Sequence, residues 1–326
     1  MGLMYPYLVI INIIFVIIWA IRLKPQIFLS LGIILVGWFF IIRYVQITLP
    51  FKKLEVASTK PSFKILTFNV RHFNRYKWLK NRDISNEIFQ FIEKESPDII
   101  CFQDFFTRSS GELSEKEISK RLSKTKYSHI QYRFNDPKAS TFGIATFSKY
   151  PIVKRGEILF EHSYNLSIYS DILLDGDTVR VFNNHLQSIR FLKQNYDFID
   201  TLKLKYNNVQ VNGIVDIANR LKWAFEQRAT QAEAIAAQIH LSRYPVIVCG
   251  DFNDSPISYT YQIIHKNLKD AFIESGSGFG NTYLGKFPSY RIDYILHDDN
   301  FRVFNYRTPK LDLSDHYPVL CRLTKK

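Results

Sequence analysis

The sequence predicts a mixed α/β domain preceded by two transmembrane helices. Three observations carry this reading. Residues 1–42 hold only two charged side chains, Arg22 and Lys24. From residue 63 onward, short runs rich in β-branched and aromatic residues alternate with stretches of helical spacing. Between two of those runs, Asp175-Gly176-Asp177 has the composition of a hairpin turn. The 326 residues, 46% hydrophobic and 22% charged, exclude disorder as the main state. Three widely spaced cysteines exclude both a disulfide scaffold and a four-cysteine metal site.

Met1 to Ile21 is uncharged, and so is Pro25 to Ile42. A helix that crosses a bilayer needs about 20 apolar residues. Arg43 can snorkel while the apolar stretch resumes through Leu49. Tyr5, Tyr7, Trp19, Trp38 and Tyr44 lie toward the ends of the two runs, where an aromatic belt sits. A cleaved signal peptide fits poorly: there is no basic start and no small-residue cleavage site. Residues 1–49 are therefore expected to form a two-helix transmembrane region of an integral membrane protein. A hairpin puts both ends on one side. Arg22 and Lys24 in its loop nearly balance Arg43, Lys52 and Lys53 beyond it, with a lean toward a cytoplasmic soluble domain. Residues 50–62 (PFKKLEVASTKPS) read as a linker, and 63–326 as the folded domain.

Within that domain, FKILTFNV (63–70) alternates as a half-buried strand does. DIICFQ (98–103) and PVIVCG (245–250) are continuous apolar runs, the pattern of strands buried on both faces. FGIATFS (142–148), NLSIYSDILL (165–174) and TVRVFNNHL (178–186) are further strands. Ile84 to Ile92 and Ile214 to Ile239 have helical spacing. In the longer helix Ile214, Ala218, Leu221, Phe225, Ala232, Ile235 and Ile239 fall on one face.

The net charge is +13, of which residues 61–326 carry +8. A basic body favours anionic partners without choosing among nucleic acid, phospholipid head groups and phosphorylated molecules.

Several strands end in residues that carry chemistry: Asn69, Gln103-Asp104, His185, and Asp251 with Asn253 just after it; Asp293 sits inside RIDYIL and Asp315-His316 lies in LSDHYPVL. Strand ends are where α/β sheets place their sites. The sequence has no H-E-x-x-H zinc motif and no G-x-S-x-G nucleophile turn. Ser314-Asp315-His316 is no triad, because neighbours along a strand point to opposite faces.

TFNV, IICFQD, GIATFSKYP, NNHL, CGDFN, RIDYI and SDHYPV occur in this order across residues 67–319. With them, residues 62–326 resemble the endonuclease/exonuclease/phosphatase family, the deoxyribonuclease I-like metal-dependent phosphoesterases. The resemblance implies a four-layer sandwich of two packed β-sheets flanked by helices, and hydrolysis of a phosphodiester or phosphomonoester. It implies Mg²⁺ or Mn²⁺ held by Asp104 with help from Asn69, and Asp315 near the metal. Hard oxygen donors suit those ions. Asp251 would activate water or position the leaving group, and Asn253 would orient phosphate or water. His316 would contact the scissile phosphate, with Asp293 fixing its tautomer. His185 would be a second phosphate ligand or a proton carrier.

Two residues depart from the family pattern. Asp104 stands where a Glu is usual, one methylene shorter. Arg71 stands where apurinic endonuclease-like members tend to have an acid, and it offers a bidentate phosphate donor. The alternative reading, a catalytically inactive membrane-bound binding module, rests on Asp104 alone. The substrate stays open between nucleic acid and a phospholipid head group, and the oligomeric state is not set by the sequence. The segment Gln187 to Val211 follows His185 directly and must lie beside the site. Its helical spacing, with Arg190, Lys193, Lys203 and Lys205, suits a helix packed on the domain with no ligand, a basic rim for nucleic acid, or an amphipathic helix on anionic lipid.

Overall fold

The computed structural model describes residues 4–46, 61–80, 82–134, 141–161, 163–201, 208–285 and 290–326. The chain opens with three helices, α1 (Tyr5–Ile21), α2 (Ile27–Val36) and α3 (Trp38–Ile41). Helix α1 has 17 residues and ends where Leu23 takes a left-handed φ of 48° ahead of Pro25. Helix α2 has 10 residues and stops at Gly37, whose carbonyl accepts the Tyr5 hydroxyl at 2.5 Å. At 1.5 Å per residue these helices are roughly 25 and 15 Å long, against a hydrocarbon core of about 30 Å. The two transmembrane helices expected over residues 1–49 thus appear as a shorter, broken pair. Among the described residues, no helix is long and apolar enough to cross a membrane.

A short strand, β1 (Val45–Gln46), closes this region. The linker expected at 50–62 lies, up to residue 60, outside the described residues. The body then runs through β2 (Ser62–Asn69), a tight turn at Arg71–Asn74, α4 (Ile84–Glu95), β3 (Ile99–Thr107), α5 (Glu115–Arg121), β4 (Tyr127–Phe134) and β5 (Thr141–Ser148). It continues with β6 (Ile152–Leu159), β7 (Leu166–Leu174), β8 (Asp177–His185), α6 (Lys193–Thr201), α7 (Asn208–His240) and β9 (Val246–Asp251). It finishes with α8 (Tyr259–His265), β10 (Lys269–Asp270), α9 (Ala271–Ser275), β11 (Gly278–Phe279), β12 (Asp293–His297), β13 (Phe301–Arg307) and β14 (Val319–Lys325).

Two six-stranded sheets result, in the orders β10-β12-β9-β8-β7-β6 and β13-β14-β2-β3-β5-β4. Alternation along each strand sends one set of side chains between the sheets and the other outward. Ile65, Ile99 and Cys101 from one sheet meet Val181, Ile247 and Cys249 from the other in the central core. On one outer face Leu66, Phe68 and Phe102 pack under Ile88 and Ile92 of α4 and Ile118 of α5. On the other, Phe182, Val248 and Tyr294 pack under Ala232 and Ile235 of α7 and Tyr261 of α8. The product is a sandwich of two sheets flanked by helices. Each fully buried Ile, Leu or Phe contributes about 1.5–3 kcal/mol, so the three clusters carry the fold.

Helix α7 differs in part from its expected face. Ala232 and Ile235 are buried, but Ile214 is 53% exposed and Phe225 stands at the surface, while Ala224 and Arg228 point inward. The body covers only the second half of that helix. Strands β4 and β6 gave no clear sequence signal because both lie at sheet edges. On β6, Lys154, Arg155 and Leu159 face solvent and the alternation of one buried face is lost.

Candidate active site

Three adjacent strands bring one set of polar side chains together by register alone. Strand β8 runs parallel to β9 and pairs His185 with Asp251. Strand β12 runs antiparallel to β9 and pairs Asp293 with the same Asp251. Next to this row, Gly250 has a φ of 132°, and a Cβ there would lie 2.0 Å from the Asn184 carbonyl oxygen. Only glycine lets β9 press this closely on β8. Asn253, at a left-handed φ of 53°, turns its amide back onto Asp251 Oδ2 at 3.1 Å and onto the Leu186 carbonyl at 2.9 Å.

The facing sheet supplies the rest through irregular backbone. Strands β2 and β3 are parallel, with Asn69 beside Gln103. The register of β3 shifts between Phe102 and Phe105, and within that bulge Asp104 takes a φ of 47°. The extra residue turns the Asp104 side chain out of the ladder and into the cleft. Gln103 donates to Asn183 Oδ1 at 2.7 Å, which ties the two sheets together behind the site.

His316 sits at the centre. Its Nδ1 meets Asp293 Oδ2 at 3.0 Å, and its Nε2 lies 3.7 Å from Asp251 Oδ2. The Tyr283 ring packs edge-on against the imidazole at 5.1 Å. Ser314 donates to the Asn69 carbonyl and accepts the His316 backbone N–H, so it pins both motifs at once. The Asn69 amide donates to Asp251 Oδ2 at 3.0 Å. His185 bridges the halves, with Nδ1 3.5 Å from Asp104 Oδ1 and Nε2 3.8 Å from Asp251 Oδ2. Arg71 lies over the Trp78 ring at 3.9 Å and pairs through Nε with Asp315 Oδ2 at 3.1 Å. All of these except Asp293, which stands behind His316, and Ser314 line one cleft of about 590 Å³.

The electrostatics divide the carboxylates. Burial pushes the Asp251 carboxyl up to about 6, with Asp293 adding to the rise against His316 and His185. Burial alone would discharge His316, but the Asp293 and Asp251 carboxylates hold its pKa near about 10, so it is a cation at neutral pH. Burial also works against Asp104, yet His185, His72 and His316 together bring its carboxyl below the ordinary value.

Sequence reading missed His72. Its Nε2 lies 3.5 Å from Asp104 Oδ1, and its ring packs on Phe142 at 4.7 Å. Burial lowers its pKa against the pull of Asp104. It arrives there because Arg71, His72, Phe73 and Asn74 all take positive φ, between 43° and 59°. Such a left-handed run costs roughly 1–2 kcal/mol per non-glycine residue and is held by its surroundings. The available signal was its place, three residues after Asn69. Arg228 is a second residue that the sequence motifs do not mark. It is buried and binds Asp254 at 3.0 Å and the Gln187 carbonyl at 2.8 Å, which fixes the loop after His185.

The donors present fit a hard divalent cation. Asp251, Asp293 and His316 place one potential ligand atom each within 4.8 Å of one another, and with His316 charged it is the carboxylate oxygens that are free to hold a cation. Asp104 and the Asn69 amide group face the same cleft. A buried carboxylate as reluctant to ionise as Asp251 is one that a cation would stabilise. Asp315 pairs with Arg71 and lines the same cleft.

A model of the endonuclease/exonuclease/phosphatase family matches residues 66–316. A second model, described as a domain of unknown function, matches residues 1–44. Among curated proteins no match is found. Among solved structures, the endonuclease/exonuclease/phosphatase from Bacteroides vulgatus is similar at a TM-score of 0.60 and 20% identity, over 82% of this chain and 100% of that one. The catalytic domain of human Nocturnin with bound sulfate anion is similar at 0.58 and 17% identity, over 82% and 96%. Sphingomyelinase C from Streptomyces griseocarneus is similar at 0.54 and 18% identity, over 80% and 99%. These likenesses establish the fold.

Proposed function

The chain belongs to the endonuclease/exonuclease/phosphatase family, and we propose that it is a membrane-attached phosphoesterase that depends on a divalent cation. One observation carries the reading: His316, held as a cation between Asp293 and Asp251, faces the same cleft as Asn69, Asp104, His185 and Asn253.

In the proposed reaction, a water attacks phosphorus in line with the ester oxygen that leaves. Asp251 takes the proton of that water, which its carboxylate accepts once ionised above about 6. His316 donates from Nε2 to a phosphoryl oxygen and neutralises charge as it develops. Asp293, behind it, keeps the proton on Nδ1 and the ring in place. Asn253 and Asn69 orient the Asp251 carboxylate through their amides. In this reading His185, between the two sheets, returns a proton to the leaving oxygen. Arg71 adds a guanidinium for a non-bridging oxygen. Mg²⁺ or Mn²⁺ would be held by Asp104 and Asn69, and would supply Lewis-acid stabilisation of the phosphoryl charge.

The apolar residues 1–49 serve, in this reading, as the attachment to a membrane, with the catalytic body on its cytoplasmic side. The substrate is a nucleic-acid or phospholipid phosphodiester. The similarity in fold to a sphingomyelinase C supports the second, and the +8 of residues 61–326 suits either. Incubation of the full chain with supercoiled plasmid and Mg²⁺, beside a His316→Ala control, tests the nuclease branch. Nicking that vanishes in the variant supports it. Absence of nicking by a folded, cation-binding chain removes nucleic acid from the substrates.

A further inference from the structure

The segment after α3 enters the catalytic body without a gap between them. The Arg291 side chain is 1% exposed, pairs with Asp270 at 2.7 Å and donates to the Arg43 carbonyl at 2.9 Å. The Arg43 guanidinium in turn donates to the Pro256 carbonyl at 3.3 Å and stands over the Tyr261 ring. The Tyr44 carbonyl accepts the Gly280 N–H, and β1 pairs antiparallel with β11. Tyr5 of α1 stacks on Tyr44, and Tyr44 meets Tyr290 edge-on at 6.1 Å. Tyr290 and Ile292 line the cleft, and the next residue is Asp293. The hairpin is therefore stitched to the stretch that delivers the partner of His316.

On its outer side the hairpin has nothing to hold it in water. Ile10 is 54% exposed, Leu29 69% and Phe39 73%, on a segment with no acidic residue before Glu55. Contiguous apolar surface of that kind is covered by a partner or a bilayer. Two uncharged runs joined by a loop that holds only Arg22 and Lys24 suit a bilayer. The cleft beside the hairpin has a mixed rim, with the Arg133 and Arg190 cations among the Tyr164 and Tyr196 rings. Cations suit a phosphoester, and amphipathic rings suit the boundary between head group and tail.

We propose that the hairpin is a fixed support behind the Tyr290–Ile292 wall of the cleft and that the substrate is a membrane amphiphile. Its phosphoester enters between the sheets while its apolar part stays in the bilayer beside α1. This rests on the phosphoesterase reading above. Two probes with the same scissile bond separate the two claims: p-nitrophenyl hexadecyl phosphate in phosphatidylcholine vesicles, and soluble p-nitrophenyl ethyl phosphate. The full chain, reconstituted in those vesicles with Mg²⁺, is expected to favour the embedded probe by about 100-fold in kcat/KM over the soluble one. A flexible Gly-Ser insertion between Ile42 and Arg43 is expected to remove most of that preference and leave the soluble rate unchanged. Equal Mg²⁺-dependent rates on both probes would overturn the amphiphile and leave the phosphoesterase intact. An insertion variant that keeps the full preference would make the hairpin a mere tether. Hydrolysis of neither probe would overturn both readings.

Discussion

The two sheets build their halves of the cleft in different ways. The β8-β9-β12 side is regular: His185, Asp251 and Asp293 sit at paired ladder positions, each placed by its neighbour's register. The β2-β3 side is irregular: Asp104 comes from a bulge, and Arg71 and His72 from a left-handed turn. Register holds side chains to within tenths of an ångström, as proton transfer requires. Bulges and turns can be re-aimed by one residue, as suits groups that hold a cation or a phosphate. On the irregular side Asp104 is bracketed by His72 and His185 at 3.5 Å each.

Substitutions on the regular side should have the largest effects. Asp251→Asn and His316→Ala are each expected to lower phosphodiester turnover by about 10³-fold, with the double variant little worse than either. Steady-state assays on chains of unchanged secondary structure measure this. A double variant with multiplied losses would mean the two act independently. Asp104→Ala, on the irregular side, should weaken Mg²⁺ binding about 10- to 100-fold by calorimetry. Unchanged affinity would place the cation wholly on the regular side.

The pH profile sharpens the contrast further. Asp251 must be ionised, so kcat/KM should rise through about 6, and His316 must stay charged, so it should fall near about 10. Asp293→Asn removes the nearer of the two carboxylates that raise His316 and should bring the alkaline limb down by more than one pH unit. A limb that does not move would free His316 from that role. Stability follows the same signs. Because the His316 pKa is raised, its contribution is full below about 6.5 and is lost as pH climbs toward about 10.

His129 behaves oppositely and lies away from the cleft. Burial, with Arg155 adding, pushes its pKa down to about 4. The folded chain should lose on the order of 2 kcal/mol as pH falls from about 6.5 toward 4, and His129→Gln should flatten that loss in urea titrations. The smallest effect is expected from Arg71→Gln, about tenfold in KM, because Asp315 already shares its charge.

The regular half was legible in the sequence because its residues border apolar runs, His185 and Asp251 at the end of one and Asp293 at the start of another, and an apolar run names its strand. Asn69 and Asp104 were legible for the same reason. His72 was not, since no local preference reports four successive left-handed residues, two of which, Arg71 and Phe73, disfavour that conformation. Hydropathy gave the apolar length of residues 1–42 but not the breaks at Leu23 and Gly37, which depend on turn geometry and on Tyr5 reaching across. The seam at Arg43, Tyr44 and Arg291 was equally hidden, because it joins segments about 250 residues apart.

The most direct measurement is hydrolysis of bis-p-nitrophenyl phosphate by the full chain across pH, with and without Mg²⁺, beside Asp251→Asn and His316→Ala. The expected result is Mg²⁺-dependent turnover that is bell-shaped between about 6 and about 10 and is lost in both variants. Turnover that survives both substitutions, or none at all in a chain that binds the cation, would contradict it.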